Sequence, residues 1–117
     1  MSSIFRTGVA LVVGVLVGGA AVAGVEATGH AFLKGPALFI IAALGLGIGS
    51  LLGTTAALFI GRRRWLAPTI GIVLWGLMLM NVFAFAHPVW FAPTATVLIA
   101  LGVFAALRLI SNSGESL

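Results

Sequence analysis

Glu26, His30 and His87 are the residues of this sequence best equipped for chemistry, with Asn81 as a neutral donor and acceptor beside them. Two imidazoles and one carboxylate form a donor set for divalent transition metals, and Asn81 could support it from a second layer. The two histidines could instead be axial ligands to a haem held between helices. Glu26, the only acid before the tail, could alternatively load and release a proton or cation. A structural reading competes with all three. In it Glu26 pairs with Lys34 or a histidine and closes one end of a helical bundle, as charged and aromatic residues do where membrane helices meet water. Glu26, His30 and Lys34 recur at intervals of four, so they share one face for as long as a helix lasts. Gly29 and Gly35 leave the end of that helix open. The spacing has none of the specificity of a zinc signature such as HExxH. No cysteine is present, which removes thiol chemistry and disulfides, and no glycine loop ends in a phosphate-binding lysine. A divalent metal is therefore the cofactor to consider first and haem the last, and no catalytic residue is assigned.

The elements that must position these residues are dictated by composition. Of 117 residues, 62% are hydrophobic and 7% charged, against roughly a quarter charged in a soluble domain. So few charges cannot coat a globule in water, whereas a bilayer supplies apolar surroundings. The formal charge of +4 rests on six basic residues spread among long apolar runs. That distribution reads as a topology signal and not as a nucleic-acid face.

A helix needs roughly 20 apolar residues to cross about 30 Å of hydrocarbon. The uncharged run between Arg6 and Glu26 predicts a first span over about 4–27, and the run between Lys34 and Arg62 a second over 36–61. The uncharged stretch from Trp65 to Leu107 is too long for one crossing, and Ala86-His87-Pro88 breaks it. Spans three and four are then expected over 67–85 and 93–110, with Pro36, Pro68 and Pro93 in first helical turns and a frayed polar tail over 111–117. Arg6, the apolar run and Ala21-Val22-Ala23 also fit a cleaved signal peptide; the segment is expected to be retained. The expected fold is all-α, a single four-transmembrane-helix bundle.

Four spans put both termini and the second turn on one side. That side holds Arg6, Arg62, Arg63, Arg64 and Arg108, and the other holds only Lys34. By the positive-inside rule the arginine side is cytoplasmic, with Arg62, Arg63 and Arg64 as anchors and Trp65 and Trp90 in the two aromatic belts. Lipid headgroup binding is the lesser reading of the arginine run. Gly45, Gly49, Gly53, Ala57 and Gly61 recur every fourth residue in the second span, and Ala10, Gly14 and Gly18 do so in the first. Such flat stripes let helix backbones approach, so they are expected to face each other or a second copy. A shift of 57 residues also superimposes Arg6 on Arg63, His30 on His87 and Pro36 on Pro93, which suggests two tandem two-helix repeats.

The pairing of Glu-Ala-Thr-Gly-His (Glu26 to His30) with His-Pro-Val-Trp-Phe (His87 to Phe91) resembles a group of small bacterial four-helix membrane proteins of unassigned activity. The resemblance implies a bacterial inner-membrane setting and draws attention to Glu26, His30, His87 and Trp90. The leading expectation is a non-catalytic bundle that forms homo-oligomers or serves as an accessory subunit of a larger membrane complex. The alternative is a metal-binding or ion-translocating protein that uses Glu26, His30 and His87 on the periplasmic side.

Overall fold

The computed structural model describes residues 3–32, 35, 37–84 and 88–112. All regular structure among them is helical: α1 (Ser3–Phe32), α2 (Ala37–Gly61), α3 (Leu66–Ala84) and α4 (Phe91–Asn112). Each helix is long and apolar enough to cross a membrane. Ile72, Met80 and Phe83 are more than 60% exposed. Large apolar side chains in that position belong against lipid tails, so the chain has the character of a multi-pass membrane protein.

The fourth helix runs to Asn112, two residues into the expected frayed tail, and two further boundaries differ from the sequence expectation for physical reasons. The first helix does not stop at Ala27 but continues to Phe32. Gly29 is buried, and a Cβ there would lie 2.7 Å from Ile41 Cγ2, so this glycine brings α1 against α2. The fourth helix starts at Phe91, two residues before Pro93. Proline is tolerated there because the first four backbone N–H groups of a helix have no intrahelical acceptor.

Helix α2 is the hub, packing on α1, α4 and α3, while the backbones of α1 and α4 do not approach each other among the described residues. The antiparallel α1–α2 seam is built from the glycine stripes. A Cβ on Gly53 would lie 2.6 Å from the Gly14 carbonyl oxygen, and one on Gly49 would lie 2.7 Å from that of Gly18. Ala10 and Ala57 are fully buried at the same seam, and a Cβ on Gly14 would sit 2.9 Å from the Ala57 methyl. The two backbones are thus in direct contact. No larger residue could occupy these positions without separating the helices.

The α2–α4 contact is equally close but polar at its centre. Ser50 Oγ lies 2.9 Å from the Gly47 carbonyl oxygen and 3.0 Å from that of Ile99, so its one proton is shared between the two helices. A Cβ on Gly102 would sit 2.6 Å from the Gly47 oxygen. Under the 57-residue shift Gly102 corresponds to Gly45, yet Gly45 packs on Val25 of α1 while Gly102 packs on α2. Helices α3 and α4 are tied by Trp75, whose indole N–H donates to Thr96 Oγ1 at 3.0 Å. Two clusters fill the interior, one around Leu58, Leu66 and Ile70 and the other around Leu46, Met78 and Phe91.

The hydroxyls of Thr55 and Thr96 donate to the carbonyl four residues back, at 2.7 Å in both cases, the ordinary outcome in a helix. Thr54 departs from this pattern. It is fully buried and its Oγ1 has no hydrogen-bond partner among the described residues. An unsatisfied buried hydroxyl is unfavourable, and its replacement by a methyl group of similar shape removes the penalty. Thr54→Val should therefore stabilise the bundle by about 1 kcal/mol, read as a higher midpoint of thermal unfolding in detergent.

The turn between α2 and α3 is held by backbone bonds. Arg62 N–H donates to the Leu58 carbonyl at 2.9 Å, and Leu66 and Ala67 donate to Arg63 and Arg64 at 3.1 Å. Arg62 closes α2 in the left-handed region, with φ of 55°. Glycine is usual at this helix-ending position, and a side chain there costs about 1 kcal/mol or more. The Arg6 Nε–H donates to the Ile60 carbonyl at 2.6 Å, capping a last-turn acceptor of α2 from the start of α1.

Candidate functional site

Helices α1 and α3 meet only lightly. At their contact a Cβ on Gly18 would lie 3.3 Å from Leu74 Cδ1. From Leu74 toward the far end of the bundle the two helices leave a cleft of about 1040 Å³ between them. One wall is the α1 face carrying Gly19, Ala23, Glu26 and His30, whose steps of four, three and four keep them in line. The other wall is α3, with Leu77, Met78 and Asn81, and the floor is α2, with Phe39, Ala42 and Leu46. Phe91 of α4 closes the back, its ring edge-on to Phe39 with centroids 6.2 Å apart.

Position along α1 explains why the cleft is apolar below and polar above. From Arg6 to Glu26 is 20 residues, or roughly 30 Å of helix at 1.5 Å per residue, which matches the hydrocarbon thickness. Glu26 thus stands at the lipid boundary opposite the arginines, and His30 one turn beyond it. Glu26 is partly buried and His30 exposed. The Glu26 carboxylate makes no hydrogen bond or ion pair with another described residue.

Three of the residues singled out from the sequence, Glu26, His30 and Asn81, line this one cleft. His87 and Lys34 lie outside the described residues. Among the described residues no three His, Cys, Asp or Glu side chains come together as a metal site. Trp65 and Trp90 are both exposed, and Trp90 leans on Phe91 with ring centroids 6.2 Å apart. Gly14, Gly18, Gly45, Gly49, Gly53 and Ala57 belong to the α1–α2 seam. Sequence reasoning passed over the second small-residue face of α1. Gly19 and Ala23 are four apart, but they are offset by one from the Gly14–Gly18 stripe and hidden by it. A Cβ on Gly19 would meet nothing within 4 Å.

These features define a class: a four-helix, multi-pass membrane bundle with an acid-tipped cleft between its first and third helices. No protein-family model, curated protein or solved structure matches the chain.

Proposed function

We propose that this chain is a non-catalytic subunit of a bacterial inner-membrane assembly, with its termini and arginine turn in the cytoplasm, and that the cleft seats a transmembrane helix of another subunit. The observation that carries this reading is the open face of Gly19 and Ala23. Helices in lipid associate where small residues let backbones approach, since apolar surface alone gives no preference for protein over lipid. The Gly14–Gly18 and Gly45–Gly49–Gly53 stripes are already occupied within the chain, whereas Gly19 lines the cleft with no neighbour within 4 Å of the place its Cβ would take. Glu26 at the end of the same face would pair with a basic or hydrogen-bonding group of the incoming helix, which favours a defined partner over random lipid.

The absence of native cysteine makes the test clean. A single cysteine introduced as Ala23→Cys and carrying a benzophenone label should, on illumination in native membranes, give one discrete adduct with a second copy or a partner subunit. The same label at Ala20→Cys, which is exposed but does not line the cleft, should give none. Lipid-only labelling at both positions would remove the reading. If that result came with a stoichiometric divalent metal in the purified protein, the cation reading of Glu26 and His30 would take its place.

A further inference from the structure

At the opposite end of the bundle Ser3, Arg6, Gly61, Arg62, Arg63, Arg64 and Trp65 enclose a recess of about 620 Å³. We propose that this recess binds a phosphate group, supplied by the phosphodiester of an anionic phospholipid in the adjoining leaflet.

Orientation of the chain requires only that arginines lie on one side of the membrane. It does not require that they converge. Here Arg6 comes from the start of α1 and the other three from the α2–α3 turn, more than fifty residues later. The Arg6 bond to the Ile60 carbonyl and a bond from the Arg63 guanidinium to Ser3 Oγ draw the two segments together. Four arginines therefore line one concavity, and Glu26, the only described acid, lines the cleft at the far end of α1. Guanidinium is the side chain best matched to phosphate, because its fixed fork of donors binds two oxygens at once.

The backbone points the same way independently. Arg62 occupies the left-handed position that ends α2, where glycine would be the unstrained choice. A strained backbone position of this kind is kept where the residue it holds has a use, and Arg62 is one of the residues that line the recess. Depth supplies the last element. The recess lies at the ends of three apolar spans, with half-exposed Trp65 on its rim, the level at which indole rings and lipid headgroups lie.

The test uses the purified full chain in neutral detergent at physiological salt, titrated with phosphatidylglycerol or phosphatidylcholine, with bound lipid counted by native mass spectrometry. Preferential retention of phosphatidylglycerol is expected. Arg64→Gln and Arg62→Gly should each weaken it about fivefold, the factor corresponding to one basic group at a membrane surface. Arg62→Gly has the further merit that glycine suits the backbone there, so the helix end should survive. Arg108 is the control: it lies on the same end but outside the recess, its guanidinium 5.7 Å from the centre of the Phe104 ring. Arg108→Gln should leave retention unchanged. Equal retention of the two lipids would overturn the proposal, and so would an equal loss in Arg108→Gln, which would mean a general field and no site. Displacement of phosphatidylglycerol by excess inorganic phosphate would also overturn it, assigning the recess to a soluble anion.

Discussion

Gly53→Ala should separate α1 from α2 and destabilise the bundle by about 3 kcal/mol, the upper part of the range for overpacking a close-packed interior. The added methyl group would lie 2.6 Å from the Gly14 carbonyl oxygen and 3.1 Å from Gly18 Cα. Both are backbone atoms on a helix, so neither can rotate away, and relief requires the whole of α1 to move. That movement would also release the neighbouring Gly18–Gly49 contact. The expectation is graded and therefore checkable as a series. Gly45→Ala places its methyl 3.2 Å from Val25 side-chain carbons, which can yield, so a smaller loss follows. Gly19→Ala meets nothing within 4 Å and should be neutral or slightly stabilising. Unfolding of the three variants in mixed detergent micelles reads the order directly. A Gly53→Ala protein as stable as Gly19→Ala would mean that the glycine seam is not what holds these helices.

The second large effect concerns association. Gly19→Leu should leave the isolated bundle intact, because the site is open and leucine is a better helix former than glycine by roughly 0.8 kcal/mol. It should nevertheless fill the cleft wall beside Ala23 and cut the photo-adduct from a label at position 23 by roughly tenfold, equivalent to about 1.4 kcal/mol of lost association. The combination matters. A variant with an unchanged unfolding midpoint and a lost adduct places the effect at the cleft, whereas loss of both would indicate a folding defect. An undiminished adduct with the leucine in place would show that no helix approaches along this face.

Much of the architecture was readable in the residues. The apolar runs bounded by Arg6, Glu26, Lys34 and Arg62 located the first two helices, because a charge cannot be placed in hydrocarbon without large loss. The break at Pro88 divided the long third run. The four-residue spacing of Gly45, Gly49 and Gly53 identified a packing face. Helix ends were less legible. Gly29 and Gly35 left the end of α1 open, but glycine in a membrane helix is as often a place of close approach, and Ile41 is what Gly29 approaches. Glu26 and His30 could be put on one face by counting. That Asn81 and Met78 stand across from them could not, since nothing local to α3 records which side of it faces α1.

The amino-acid sequence by itself determined that this chain has four apolar helices and that its arginines gather at one end. Both follow from solvation, which acts on each segment separately whatever its neighbours. Only the tertiary structure decided which stripe meets which, that Gly14 and Gly18 are consumed within the chain while Gly19 and Ala23 are left open, and that Arg6 joins Arg62, Arg63 and Arg64 around one recess. Those outcomes depend on the rotation and separation of helices in contact, set by steric fit between residues far apart in the chain, and several stripes of small residues offer nearly equivalent fits until the whole bundle closes.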